Sequence, residues 1–212
     1  MKRILSAILA IICVATMGGS SLAAFACSSD DADEGPTSVT RGEFVEKLIT
    51  ETTEWALSQT LQSGGGVYYT QDDLDQFDKF RERFYDPEIA ILDNKVLEYA
   101  LDYGYVTEER YSDPVTREEA VVIADRFDQP RVLYRLQTIE LDGVSDWAQG
   151  AMNYFLGLFL PEKSIYFSTQ SYYDNAESLQ PQAPLTEEET DLIIKQVQSD
   201  FSALIPQPRF QQ

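Results

Sequence analysis

Apolar residues recur at helical spacing along most of the chain beyond residue 40. In the first segment, which ends near the glycines at 64–66, they are Phe44, Val45, Leu48, Ile49, Trp55 and Leu57. This spacing places apolar side chains on one face of an α-helix. It predicts further helices over residues 70–84, 87–103, 116–128, 145–158 and 186–204, with extended structure over 131–141 and a long loop over 161–184. The pattern indicates a mostly α-helical fold with long loops.

Three of these helices open with the same local signature, a threonine followed three residues later by a glutamate. In a capping box, the threonine side chain accepts a hydrogen bond from the third helical N–H, and the glutamate accepts one from the threonine N–H. We assign helix capping to three such pairs, which are Thr40 with Glu43, Thr116 with Glu119, and Thr186 with Glu189. An apolar residue precedes each threonine, so the signature predicts an internal repeat.

The first 26 residues have the pattern of a secretory signal peptide. Lys2 and Arg3 precede an uncharged apolar run that is too short to span a bilayer with ease, and Ala24-Phe25-Ala26 ends it. An uncleaved membrane anchor is the alternative. Cleavage would leave Cys27 as the first residue and the single cysteine of the mature chain.

That position resembles a bacterial lipoprotein box, although Phe25 is bulkier than the residue such boxes prefer. The resemblance predicts lipidation of Cys27, with plain secretion as the alternative. Residues 27–37 are acidic, contain nothing to bury, and predict a disordered spacer. Their acidic run lacks the glycine and the spacing of a calcium loop.

The charge and residue types exclude several classes of function. The chain has 16 basic and 36 acidic residues, and loss of Lys2 and Arg3 with the signal changes the balance to 14 against 36, a net charge of −22. Such a chain has no basic face for nucleic acid or anionic lipid. It contains no histidine, which excludes a histidine base and histidine metal ligands. We expect no enzyme activity, cofactor or metal; a carboxylate-based glycan hydrolase is the remaining catalytic alternative.

Residues 96–127 resemble an S-layer homology (SLH) repeat. In that family a helix rich in Trp-Ala or Tyr-Ala is followed by a glycine-terminated turn, a loop, and a second helix that opens with Thr-Arg-Ala-Glu. The chain has Tyr99-Ala100 before Gly104, and then Asp113-Pro114-Val115-Thr116-Arg117-Glu118-Glu119. Residues 141–197 resemble another repeat, with Trp147-Ala148 in its opening, and residues 38–50 match only a repeat's latter half.

The resemblance predicts an SLH-type helical domain over residues 38–205, followed by a tail at 206–212. It divides that domain into a partial repeat at 38–62 and repeats at 87–128 and 141–201. The capping threonines lie 76 and 70 residues apart, which is longer than the family's usual repeat. In the family, three repeats form a pseudo-threefold bundle whose grooves hold anionic, often pyruvylated, cell-wall polysaccharide.

The resemblance implies glycan binding by Arg117, Arg41 and Trp147. A cation at the first helical position faces the positive end of the helix dipole, so its presence needs a reason. Free N–H groups beside an arginine fork suit a carboxylate ligand, and the alternative is that each arginine pairs with a neighbouring acid. Glu187 replaces the arginine in the last box and would repel an anion. Trp147 would either stack on a sugar or anchor the core.

The sequence therefore predicts a non-catalytic protein of the cell envelope, secreted to the outer face of the membrane or to the cell wall. Its expected partners are an anionic wall polysaccharide and, through Cys27, the membrane. The alternative is a degenerate SLH-type lipoprotein that acts as a protein-interaction module without binding glycan.

Overall fold

The described part of the chain is mostly α-helical, as the apolar pattern predicts. The computed structural model describes residues 38–128, 139–160 and 176–210, which belong to one compact unit at 35–212. The signal peptide, Cys27, the acidic spacer and most of the predicted extended segment and long loop lie outside these ranges. Within them, no helix is long and apolar enough to cross a membrane.

The elements follow one another with short helices between the capped ones. They are α1 (Arg41–Ser58), β1 (Val67–Tyr68), α2 (Gln71–Glu82), α3 (Tyr85–Leu92), α4 (Val96–Asp102), α5 (Arg117–Phe127), α6 (Gln149–Phe155), 3₁₀ turns at Leu156–Leu158 and Ala176–Ser178, α7 (Glu187–Ser202), and β2 (Arg209–Phe210).

One apolar core joins these helices. Helix α1 packs against α3, α4, α5 and α7, and α5 also packs against α6 and α7. Aromatic rings from α5, α7 and the junction between α2 and α3 pack together. The ring of Phe201 lies 5.1 Å from that of Phe84 and 6.1 Å from that of Phe127, centroid to centroid. Edge-to-face packing of this kind stabilises the fold beyond the contribution from burying the rings.

The residues that precede the three threonine caps form a closed cycle of backbone hydrogen bonds. Val39 N–H donates to the Leu185 carbonyl at 3.1 Å, Leu185 N–H to the Val115 carbonyl at 2.8 Å, and Val115 N–H to the Val39 carbonyl at 3.0 Å. All three side chains are buried in the core. Helices α1, α5 and α7 therefore begin around a common centre.

The helix predicted over 87–103 is wrong, because the structure contains two helices there. The apolar spacing continues across the break, but Asn94 adopts a left-handed backbone with φ of 56°. Lys95 N–H then donates to the Ala90 carbonyl at 2.7 Å, which closes the end of α3. Asparagine tolerates this conformation better than most residues, and such a turn is a common helix terminator. The first of the two helices also starts at Tyr85, before the predicted Asp86-Pro87 cap.

The predicted tail contributes to the fold. Arg209–Phe210 forms β2, which pairs antiparallel with β1 so that Val67 faces Phe210. An ion pair of 3.0 Å between Arg209 Nη2 and Asp73 Oδ1 joins this strand to the start of α2. Asp73 also caps α2 with Thr70, in a further capping box in which aspartate stands in place of glutamate.

We predict that Gly42→Ala destabilises the protein by about 1–3 kcal/mol, because the new methyl would overfill a close contact. A Cβ atom at Gly42 would lie 3.1 Å from the Tyr111 carbonyl oxygen and 3.2 Å from Tyr111 Cβ. Gly150→Ala is the matched control: this glycine is also near a helix start, but its Cβ would meet nothing within 4 Å. Urea unfolding should show the control unchanged or stabilised by up to about 1 kcal/mol. Equal effects of the two substitutions would contradict the close contact.

Candidate functional site: the capped helix starts and Trp147

All three threonine boxes are formed in the structure. The N–H groups of Glu43, Glu119 and Glu189 each donate to the cap threonine Oγ1 at 3.3 Å. In return, the threonine N–H groups donate to the glutamate carboxylates at 2.9, 3.2 and 3.1 Å. The hydrogen bond from the Thr40 N–H lowers the pKa of Glu43. The six capping assignments made from the sequence therefore match the observed contacts.

The first N–H groups of α1 are occupied by a neighbouring loop. Arg41 N–H donates to the Asp113 carbonyl and Gly42 N–H to the Tyr111 carbonyl, both at 2.8 Å. Both carbonyls belong to the segment that leads into α5. The absence of a Cβ at Gly42 allows Tyr111 to approach this closely.

The start of α5 repeats this arrangement with the segment that leads into α7. Arg117 N–H donates to the Ala183 carbonyl at 3.1 Å and Glu118 N–H to the Pro181 carbonyl at 3.0 Å. The expectation of free N–H groups at the two arginine-bearing helix starts is therefore wrong. Loop carbonyls take the place that the oxygens of an anionic ligand would occupy.

Both arginine side chains pair with the glutamate of the next box. Arg41, which is 6% exposed, forms an ion pair with Glu119. Arg117 Nη2 lies 2.6 Å from Glu189 Oε1, and the two side chains are 16% and 14% exposed. Each glutamate thus caps its own helix and holds the arginine of the preceding box. This is the pairing alternative, and it explains why a cation stands at the first helical position.

Arg117 has further contacts inside the protein. Its Nη1 donates to the Leu179 carbonyl at 2.9 Å, and its guanidinium carbon lies 5.6 Å from the centre of the Phe159 ring. In the described ranges, the Nε atoms of both Arg41 and Arg117 are buried without a hydrogen-bond partner. The two arginines therefore share the same unsatisfied donor, the Nε–H group.

The contact between α1 and the start of α7 has its charges reversed, with acids on α7 and the cation on the facing helix. Lys47 Nζ of α1 lies 3.1 Å from Glu187 and 2.8 Å from Asp191, both on α7. The hydrogen bond to Asp191 is the main reason that the pKa of Lys47 rises to about 12. No cation pairs with Glu43 in the part of the chain that the structure describes. The replacement of arginine by Glu187 is therefore matched by a lysine from the facing helix.

Glu118 is a structural residue that the sequence analysis did not single out. Its carboxylate is 2% exposed and accepts hydrogen bonds from Ser145 N–H at 3.0 Å, Ser145 Oγ at 2.8 Å and Gln182 Nε2 at 2.7 Å. Buried carboxylates require such donors. The contacts join the start of α5 to two later segments. The one indication in the sequence was that Glu118 stands at the box position that Gly42 occupies in α1.

Trp147 lies on the surface, with 57% of the residue exposed. The neighbouring Ala148 is fully buried and packs into the core in its place. The alternative that Trp147 anchors the core is therefore wrong, whereas sugar stacking stays a prediction. Tyr99, which precedes Ala100 in the sequence as Trp147 precedes Ala148, is half-buried, with its ring centre 4.4 Å from that of Tyr103.

Comparison of the chain with models of known families, with curated proteins and with solved structures found no match. The likeness to SLH repeats therefore depends on the motifs of this sequence alone. Among the described residues, no cluster of three or more carboxylate or cysteine side chains forms a metal site.

We predict that Glu189→Gln destabilises the protein by about 1–3 kcal/mol, because a partly buried arginine loses its charged partner. Glutamine can still complete a capping box, so the substitution isolates the ion pair with Arg117. Glu43→Gln is the matched control, at the same box position but exposed and without a described cation partner. Its expected loss in urea unfolding is below about 0.5 kcal/mol. Equal losses would show that capping, not pairing, determines the effect.

Proposed function

We propose that this chain is a non-catalytic interaction module of the cell envelope, built on a divergent SLH-type frame with three unequal repeats. The pseudo-threefold arrangement is supported by the closed cycle of hydrogen bonds among Val39, Val115 and Leu185. It is further supported by the repeated docking of a loop on the starts of α1 and α5. The first repeat has no Trp-Ala helix before its box, and the third has lost its arginine.

The internal use of the two arginine-bearing helix starts is the observation that carries the proposal. An anionic glycan would need free N–H groups and an accessible arginine fork, and at α1 and α5 both are already engaged by loop carbonyls and by glutamates. Breaking two partly buried ion pairs to admit a ligand would carry a large energetic cost. The frame is therefore better suited to hold the bundle together than to bind polysaccharide at these positions.

The proposal is tested with the full chain and purified cell walls from the producing cells. We predict that the chain does not sediment with the walls and that in intact envelopes a photo-crosslinking side chain on its surface forms adducts with a protein. Denatured chain serves as the control for adhesion to walls, and crosslinker-free chain controls for background adducts. Saturable wall binding with no protein adduct would overturn the proposal.

Attachment to the membrane is proposed to run through a lipid on Cys27. The support is compositional, because this cysteine stands alone after a signal-like segment. We predict that mass spectrometry of the mature N-terminus shows a diacylglycerol adduct on Cys27. With Cys27→Ser the chain should leave the membrane fraction. An unmodified cysteine, or unchanged fractionation of the variant, would refute this attachment.

Glycan binding is the second candidate function, and the exposed indole of Trp147 favours it. An exposed aromatic face next to a repeat start can stack on a sugar ring. Such a site would lie outside the two arginine pairs and would leave them intact. Loss of wall binding in Trp147→Ala but not in Tyr68→Ala, a control at another exposed aromatic residue, would select this function over the interaction module.

A further inference from the structure

Helix α3 exposes large apolar side chains in a helical stripe. Tyr85, Ile89 and Leu92 stand at positions i, i+4 and i+7 of the same helix, and each is exposed. Leu92 is 78% and Tyr85 63% exposed. Exposed apolar residues are ordinary when scattered singly, but a row along one helix face is the feature that partner proteins recognise.

Residues other than the stripe form the core-facing side of α3. Ala90 and Pro87 are buried and Ile91 packs partly buried against the core, whereas Tyr85, Ile89 and Leu92 are exposed. Packing of α3 on α1 therefore does not depend on the exposed stripe. Helix stability alone gives no reason for three large apolar residues on the solvent side.

A groove runs between α3 and α4 beside the stripe. It has a volume of about 230 Å³. Its lining residues are Ile89 from the stripe, Ala90, Tyr99, the basic residue Lys95, and the carboxylates of Asp86, Asp93, Glu98 and Asp102. Tyr103 is joined to this lining, because its hydroxyl donates to Asp86 Oδ2 at 2.6 Å. This hydrogen bond is the main reason that the pKa of Tyr103 is raised.

The groove and stripe carry a strongly negative charge. Residues 85–104 contain five carboxylates and a single basic residue, Lys95. Among the described residues, Asp93, Glu98 and Asp102 have no ion-pair partner. We name the surface formed by Tyr85, Ile89, Leu92, Tyr103 and these carboxylates the α3–α4 surface.

We propose that the α3–α4 surface docks a basic amphipathic segment of a partner protein, whose apolar face covers the α3 stripe while its lysines or arginines meet the groove carboxylates. This inference rests on the proposed function as an interaction module and names the partner chemistry. Apolar burial supplies affinity, and the carboxylates supply charge complementarity and register.

Charge argues against the other occupants of such a surface. A second copy of this chain would bring the same carboxylates against these ones, and like charges across an interface cost several kcal/mol. Anionic lipid and anionic glycan are repelled for the same reason. A cation without an apolar face would leave the stripe uncovered.

The test measures binding of the full chain to a synthetic helical peptide of about 18 residues, with leucines on one face and lysines on the other. Titration calorimetry at about 0.15 M salt should detect saturable binding with a stoichiometry of one. The combined substitution Ile89→Ser with Leu92→Ser should weaken it at least about tenfold. Asp93→Asn with Glu98→Gln should weaken it several-fold and reduce its salt dependence.

Matched controls separate the surface from general acidity. Leu74→Ser removes an exposed leucine from α2, and Glu46→Gln with Glu54→Gln removes two exposed carboxylates from α1. Neither control should change the peptide affinity by more than about twofold. Circular dichroism verifies that all variants are folded. An all-lysine peptide without leucines should bind much more weakly than the amphipathic one.

The inference is overturned if the controls weaken binding as much as the surface variants, or if the all-lysine peptide binds equally well. It is also overturned if the chain dimerises at rising concentration and the Ile89→Ser, Leu92→Ser variant stays monomeric. Envelope crosslinking separates this failure from that of the proposed function. Protein adducts from a crosslinker at Glu54 but not at Leu92 would preserve the interaction module and reject this surface. No adduct from either position would reject both.

Discussion

The three capped helices are held where they begin, by backbone hydrogen bonds that run from one helix start to the next. The cycle through Val39, Val115 and Leu185 fixes the centre. Carbonyls of the loops before α5 and α7 accept hydrogen bonds from the N–H groups at the starts of α1 and α5. Unpaired N–H groups at a helix start are costly when buried, so the starts of α1 and α5 each require the neighbouring loop. The positions of these two helices relative to the loops follow from this requirement.

The arginine–glutamate pairs extend the same dependence to side chains. Glu119 and Glu189 cap their own helices and also neutralise Arg41 and Arg117 of the preceding box. The motif that suggested a ligand site therefore joins one capped helix to another. In the third box, Glu187 stands at the arginine position. Its negative charge is paired with Lys47 of α1. The exposed candidates for binding a partner are therefore Trp147 and the α3–α4 surface.

Local features were predictable from the sequence, and distant contacts were not. The Thr-Glu boxes are complete within four residues, so sequence alone identifies them. The partner of Arg41 lies 78 residues away, and nothing in the local pattern distinguishes an ion pair from a ligand site. The turn at Asn94 interrupts an apolar pattern that continues on both sides. Glu118 could not be recognised because its donors, Ser145 and Gln182, are brought to it only by the fold.

The hydrogen-bond cycle also has a consequence for the order of folding. It joins residues that lie 76, 70 and 146 positions apart, so no part of it is local. Closing such long loops costs conformational entropy before any contact compensates for it, which slows folding. The cycle cannot close until Leu185 is present, near the end of the chain. A nascent chain that lacks α7 therefore stays without its centre, and the bundle is completed only after α7 has been synthesised.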